Sequence, residues 1–202
     1  AARAALHFWE EPCISGKGGA GAVFFSGCAL GCVFCQNTDI SRGQEGEVIS
    51  IDRLAQICLN LQAQGANNIN LVTAGHYVPA VAESLRRAKA RGLTIPVVYN
   101  SSGYETPHTL QLLEGLVDIY LPDMKYMDTQ LAKQYSHAED YPDVAKEALA
   151  EMVRQCPVCE FDERGIMKKG VIVRHLLLPG HVRNSKEVLA YLYETYRDQI
   201  YI

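Results

Sequence analysis

Three cysteines stand close together in the first fifth of the chain. Cys28, Cys32 and Cys35 have the spacing C-x3-C-x2-C in a loop that contains a glycine. A structural zinc site normally uses four protein ligands, so zinc would need a further Cys or His from elsewhere in the chain. An iron–sulfur cluster also commonly uses four thiolates, and three thiolates would leave one iron open to a small molecule. The spacing therefore predicts a metal centre, and an open iron would make it a catalytic one.

The composition is that of a folded protein. Of the 202 residues, 48% are hydrophobic and 21% are charged, which is enough apolar surface for a core. The formal net charge of −4 predicts no nucleic-acid partner. No apolar run has the length of a membrane span, and no secretion signal is visible. We therefore expect no membrane association and a cytoplasmic location, where clustered cysteines more often bind metal than form disulfides.

Short apolar runs alternate with longer helical patterns along the chain. The runs are almost continuously hydrophobic, which is typical of parallel strands covered on both faces. They predict one α/β domain over residues 1–202, either an open sheet or a partial or complete barrel, with ligand sites at the carboxyl ends of the strands. The predicted strands are 22–26, 69–73, 95–100, 117–121 and 171–178, and the predicted helices are 52–64, 79–91, 107–113, 143–154 and 185–197.

The two ends of the chain differ from this pattern. Residues 1–21 are interpreted as an irregular N-terminal segment that leads into the first strand. Its residues 16–21 satisfy the G-x-G-x-x-G pattern, but the glycines precede a strand instead of following one, so we interpret them as a flexible loop and not as a dinucleotide site. Residues 199–202 look like the start of a sixth strand that is cut short.

The cysteine motif resembles that of the radical S-adenosylmethionine (SAM) superfamily. The resemblance includes Phe34 directly before the third cysteine and the position of the motif after the first strand. It implies a partial (β/α)6 barrel of the TIM type, a [4Fe–4S] cluster on Cys28, Cys32 and Cys35, and SAM bound to the fourth iron, with Phe34 near the cofactors. It also implies that an electron from the cluster cleaves SAM to methionine and a 5′-deoxyadenosyl radical, which abstracts a hydrogen atom.

Three stretches resemble, more narrowly, the group of the pyruvate formate-lyase activating enzyme. They are residues 21–37 (GAVFFSGCALGCVFCQN), 120–125 (YLPDMK) and 173–180 (VRHLLLPG). The resemblance implies hydrogen abstraction from a glycine of a glycyl radical enzyme, and an external electron donor of the flavodoxin or ferredoxin type. The alternatives are radical modification of another peptide or small molecule, and a noncatalytic iron–sulfur or zinc protein that adds a histidine such as His76 to the three thiols.

The resemblance also implies a set of SAM-binding residues. Gly75 lies where the family has its G-G-E motif, whose backbone holds the SAM amino group, but the acid of that motif is missing here. Asn100 and Ser101 follow the third strand, where the family contacts the ribose and the sulfonium. Asp123 and Lys125 match the D-x-K segment after the fourth strand and suit a zwitterionic amino-acid ligand.

Three further positions are weighed on their own chemistry. Arg174 lies inside an apolar strand, where an unpaired guanidinium is costly, so we expect it to pair with a carboxylate of SAM or of a substrate. His76 at a strand end is a catalytic group, a substrate contact or a hydrogen-bonded structural residue. Cys156 and Cys159 form a second C-x2-C pair, but two thiols cannot complete a cluster, and Cys13 is expected far from them. We therefore predict a single cluster.

Overall fold

A mixed sheet of seven strands forms the centre of the structure, a computed structural model that describes residues 1–202. The strands are β1 (Arg3–His7), β2 (Ala20–Phe24), β3 (Ile69–Val72), β4 (Val97–Ser101), β5 (Ile119–Pro122), β6 (Glu160–Phe161) and β7 (Met167–Val171). The helices are α1 (Pro12–Ser15), α2 (Thr38–Ser41), α3 (Ile51–Ala63), α4 (Val78–Ala90), α5 (Pro107–Gln111), α6 (Thr129–Ser136), α7 (Tyr141–Gln155) and α8 (Val182–Tyr196). None of these helices has the length and apolar character that a membrane crossing requires.

The order of the strands is that of an unclosed barrel. β2, β3, β4, β5 and β7 are parallel neighbours in this order. β1 is antiparallel to β2 at one edge, and β6 is antiparallel to β7 at the other. The two edges do not pair with each other, so the sheet stays open. The α/β class and the partial barrel predicted from the sequence are confirmed.

The two faces of the sheet bury different side chains. Tyr99 and Tyr120 point toward the helices and belong to a main core of 41 buried residues. Val98 points to the opposite side, which we call the inner face, and packs in a cluster of 7 residues that includes Ile14 of α1. Because side chains alternate along a strand, Asn100 continues the inner face toward the carboxyl ends of the strands.

The N-terminal segment is more regular than predicted. β1 pairs with β2 from Arg3 opposite Phe24 to His7 opposite Ala20, and α1 follows it. The interpretation of residues 1–21 as irregular is therefore wrong for these two elements. The reason is that β1 is an edge strand fixed by backbone hydrogen bonds to β2, while its own side chains are mostly exposed and carry no pattern.

The last predicted strand lies earlier in the chain than expected. The strand predicted at 171–178 is found at Met167–Val171, and beyond it Leu176 and Leu177 are more than half exposed. The strand begins earlier because Met167 and Lys169 pair with β6, and only Gly170 and Val171 pair with β5. Tyr201 forms an isolated parallel bridge with Ile172.

Candidate functional site

The three clustered cysteines lie on the loop that follows β2. The loop is held by the C-terminal end of α6, a helix that the sequence pattern did not reveal. The Gly31 N–H donates to the Ser136 carbonyl over 3.3 Å, and the Val33 N–H donates to the Tyr135 carbonyl over 2.9 Å. The last turn of a helix has free carbonyl groups, and here they fix the backbone between the cysteines.

The three thiols are close enough to influence one another. Burial raises the pKa of the Cys28 thiol, the N–H of Leu30 lowers it from 3.5 Å, and the charges of Cys32 and Cys35 raise it. The ammonium of Lys125 opposes this increase in pKa. All three cysteines are free and partly exposed, so their sulfur atoms are available as ligands.

The donor set fits a cluster better than a single ion. No three Cys, His, Asp or Glu side chains are grouped around one point as ligands of a single metal ion. The zinc site that would add His76 to the three thiols is therefore not gathered in this structure. A [4Fe–4S] cluster requires a wider arrangement, because each thiolate binds a different iron.

A cavity of about 200 Å³ opens beside Cys28. It lies at the carboxyl ends of β3 and β4, where the architecture predicted a ligand site. Thr73, at the end of β3, has a φ of 59°, a left-handed backbone that is unusual for a β-branched residue and is enriched at functional sites. Gly75 and His76 also line the cavity, and the imidazole of His76 has no hydrogen-bond partner in the protein.

Glu105 also lines this cavity, and the sequence analysis did not identify it. Its Oε2 accepts a hydrogen bond from the Ser101 hydroxyl over 3.1 Å. A Cβ atom placed on Gly75 would lie 3.5 Å from Glu105 Oε1 and 3.8 Å from the hydroxyl of Tyr99. That hydroxyl is buried and has no partner. A carboxylate and an unpaired phenol therefore meet at the backbone of Gly75.

The charge of Glu105 is sensitive to pH in the neutral range. Burial raises the pKa of its carboxyl group to about 7, the hydrogen bond from Ser101 opposes this, and the charge of Asp123 adds to it. The only sequence signal for Glu105 is its position, two residues after Gly103 in the loop that follows β4.

Arg174 is at the centre of a polar network on the inner face. Its Nε donates to Asp123 over 3.1 Å, its Nη1 to Glu10 over 3.2 Å and its Nη2 to the side-chain amide oxygen Oδ1 of Asn100 over 2.7 Å. Within the protein, Arg174 thus has the carboxylates of Asp123 and Glu10 as partners. Lys125 also donates to Asp123, so the D-x-K pair shares this network.

The N-terminal segment supplies two acids to the same face. Glu10 Oε2 accepts from the side-chain amides of Asn70 over 2.8 Å and Asn100 over 3.0 Å. Burial raises the pKa of Glu11 to about 7, and the neighbouring carboxylate of Glu10 acts in the same direction. Neither acid was identified from the sequence, because no spacing connects residues 10 and 11 with strands that begin sixty residues later.

The predicted cofactor-binding residues therefore fall into separate places. Gly75 lines the cavity, and Ser101 reaches it through Glu105. Phe34 packs against the main core and does not line the cavity. The remaining ones lie in the inner-face network: Asn100, Asp123, Lys125 and Arg174.

The other cysteines lie elsewhere. Cys58 is fully buried on the core face of α3, as predicted. Cys13 and Cys159 both pack against the inner-face cluster around Ile14, and the charge of Cys159 raises the pKa of Cys13, after the larger effect of burial. The expected separation of Cys13 from the Cys156–Cys159 pair is therefore wrong, because α1 turns back under the sheet.

Comparison with known proteins gives two findings. A profile of the radical SAM superfamily matches residues 22–192. An uncharacterized protein of Methanocaldococcus jannaschii is 30% identical over 167 residues, which are 79% of this chain and 45% of that protein. The chain thus spans less than half of the length of this relative. The matched region contains the cysteine loop, the cavity and the strands that carry Asn100, Asp123 and Arg174.

Proposed function

The chain belongs to the radical SAM superfamily, whose members use a [4Fe–4S] cluster and SAM, and we propose that it binds both at the cysteine loop and the adjoining cavity. Cys28, Cys32 and Cys35 hold the cluster, which, when bound, supplies the electron that cleaves SAM to methionine and a 5′-deoxyadenosyl radical. The observation that carries the proposal is the cavity of about 200 Å³ beside Cys28, with Glu105 on its wall.

Glu105 supplies the carboxylate that the G-G-E motif of the family provides and that this chain lacks at the corresponding position. The G-G-E motif of the family has no acid at the corresponding place in this chain, but Glu105 reaches the backbone of Gly75 from the next loop. An ammonium group at this point can donate to Glu105 and to the unpaired hydroxyl of Tyr99. We assign the part of the cavity between Gly75 and Glu105 to the amino group of SAM.

Lys125 links the inner-face network to the cysteine loop. Arg174 fixes Asp123 and Asn100, while the charge of Lys125 acts on the Cys28 thiol and opposes the rise in its pKa that burial causes. We propose that the ammonium of Lys125 binds the carboxylate of SAM and that its ion pair with Asp123 orients it.

The decisive test is anaerobic reconstitution with iron and sulfide, followed by addition of SAM and a reductant. We expect about four irons per chain and formation of 5′-deoxyadenosine. Tight binding of zinc without any deoxyadenosine would instead support the noncatalytic alternative.

The radical acts on a hydrogen atom of a substrate, for which we propose a glycine of a glycyl radical enzyme. The support is the resemblance of residues 21–37, 120–125 and 173–180 to the activating-enzyme group. The exposed Leu176 and Leu177 offer a partner an apolar surface after Arg174. Mixing the loaded protein with such an enzyme should give a glycyl radical signal in electron paramagnetic resonance. Deoxyadenosine without this signal would favour another peptide or a small molecule as the substrate.

Asp123→Ala and Lys125→Ala should each weaken the binding of SAM about tenfold and leave the absorbance of the cluster intact. Each variant removes a charge near the ligand but no cluster ligand, and a hydrogen bond to a charged group contributes about 1.5–3 kcal/mol. The measurement is the SAM affinity of the loaded protein. Lys133→Ala is the control, since Lys133 of α6 forms an exposed ion pair with Glu139. Wild-type affinity in both test variants would show that the pair only stabilises the fold.

Glu105→Gln should remove a dependence of SAM affinity on pH. With a pKa of about 7, the carboxyl group is neutral below this pH and charged above it. Because the ammonium of SAM prefers the carboxylate, wild-type affinity should weaken several-fold between about pH 8 and about pH 6. Gln cannot ionise, so its affinity should be low and flat over the same range. An equal pH dependence in both proteins would contradict the assignment.

A further inference from the structure

Cys32 alone among the three cysteines has a close and fully buried hydroxyl neighbour. Its Sγ lies 2.9 Å from the Oγ of Ser136 at the end of α6. The same Oγ lies 2.8 Å from the hydroxyl of Tyr126. Ser136 is 1% exposed and Tyr126 is 0% exposed, so neither hydroxyl has water as an alternative partner.

When Cys32 is a thiolate, only one arrangement of the hydroxyl protons of Ser136 and Tyr126 satisfies all the contacts. A thiolate accepts hydrogen bonds and donates none, so the Ser136 hydroxyl donates to Sγ. The Ser136 oxygen is then free to accept from Tyr126. The Tyr126 hydroxyl has Ser136 as its only partner in the protein, so it donates along the chain.

The other two thiols lack such a donor. Ser41 lies 3.6 Å from Cys35 Sγ, but its hydroxyl donates to the carbonyl of Thr38 over 3.0 Å. Cys28 has the N–H of Leu30 at 3.5 Å. The contact at Cys32 is therefore the shortest that a thiol of the loop makes with a hydrogen-bonding group.

We propose that Tyr126 and Ser136 form a relay that raises the reduction potential of the cluster through Cys32. The proposal rests on the cluster assignment made above. Reduction transfers one electron from an external donor of the flavodoxin or ferredoxin type, and no bond is formed or broken. The added negative charge strengthens the hydrogen bond at Cys32 Sγ, so the relay stabilises the reduced form more than the oxidised form. Ser136 and Tyr126 are thus positioning residues that act through the sulfur.

The test is a redox titration of the loaded protein without SAM, with dithionite as the reductant and electron paramagnetic resonance as the readout. At a fixed solution potential, Ser136→Ala should have about a tenfold smaller ratio of reduced to oxidised cluster. This ratio corresponds to a reduction potential that is lower by about 59 mV for one electron. Ser136→Thr retains a hydroxyl and should return toward the wild-type potential. Tyr126→Phe should shift the potential in the same direction by a smaller amount.

Ser41→Ala is the matched control. It removes a serine hydroxyl beside a cluster thiol, but one whose proton is directed elsewhere, and it should leave the potential unchanged. A wild-type potential in Ser136→Ala would overturn the proposal, as would equal shifts in Ser136→Ala and Ser41→Ala. If Ser136→Ala does not bind about four irons, Tyr126→Phe becomes the test variant. A wild-type reduction potential in Tyr126→Phe would then overturn the proposal. Failure of the wild-type protein itself to assemble a cluster would refute the proposed function instead.

Discussion

Cys28→Ala, Cys32→Ala and Cys35→Ala should each abolish both the four-iron cluster and the formation of 5′-deoxyadenosine. Each change removes one of three thiolates from an iron that has no other protein ligand. The neighbouring side chains cannot substitute, since Ser41 and Ser136 offer only hydroxyl groups. The measurements are the iron and sulfide content, the absorbance of the cluster and the yield of deoxyadenosine after anaerobic reconstitution.

The control for these variants is the other C-x2-C pair. Cys156→Ser/Cys159→Ser changes two cysteines that pack away from the loop, against Asp118 and the inner-face cluster. This double variant should keep about four irons per chain and full cleavage of SAM. A normal deoxyadenosine yield in a loop variant would refute the cluster assignment. About eight irons in the wild type, with half of them lost in the double variant, would reveal a second cluster that includes Cys13.

The parts of the fold that the sequence predicted share a physical feature. β3 and β4 are short runs of mostly apolar, buried residues, and α3 has both a capping serine and an apolar stripe, so local sequence and tertiary burial agree. α6 has only eight residues and is polar on most faces, so no periodicity revealed it. Its remaining signal is Asp128, whose side chain accepts hydrogen bonds from two N–H groups of the first turn.

The residues of the site also differ in whether the sequence alone predicts them. The three cysteines could be found because their ligand chemistry fixes their spacing along the chain. Glu105 and Glu10 could not, since they reach the site from loops whose course depends on the packing of the whole sheet. The burial of a lone arginine in an apolar strand predicted a carboxylate partner for Arg174, but only the folded chain shows that Glu10 comes from 164 residues away.

Arg174→Ala should lower the free energy of unfolding by about 3 kcal/mol at neutral pH. The guanidinium neutralises Asp123 and Glu10, and it lies near Glu11. Without it, these acids face one another on the inner face of the sheet with Lys125 as the nearest cation. We choose the low end of the range for a broken buried ion pair because the Arg174 side chain is 30% exposed.

The loss of stability should depend on pH in a definite direction. Burial and Glu10 already raise the pKa of Glu11 to about 7, above its ordinary value of 4.5, so the folded state takes up this proton before the unfolded state does. Such a group destabilises the folded state as pH rises from about 4.5 to about 7. Removing Arg174 takes away the positive charge that opposes this increase, so the pKa of Glu11 should rise further. The difference between variant and wild type should therefore shrink as pH falls from about 8 to about 5.

Urea unfolding of the two proteins across this pH range measures the effect. Arg183→Ala is the matched control, because Arg183 is 93% exposed and pairs only with Glu187, so its stability should stay close to that of the wild type at each pH. Adding Glu10→Gln to Arg174→Ala should recover part of the loss, since it removes one of the unpaired charges. A loss that is constant with pH, and that Glu10→Gln does not relieve, would mean that Arg174 stabilises the sheet by packing and not by neutralising the acids. The network would then no longer explain how Asp123 and Lys125 are held beside the cysteine loop.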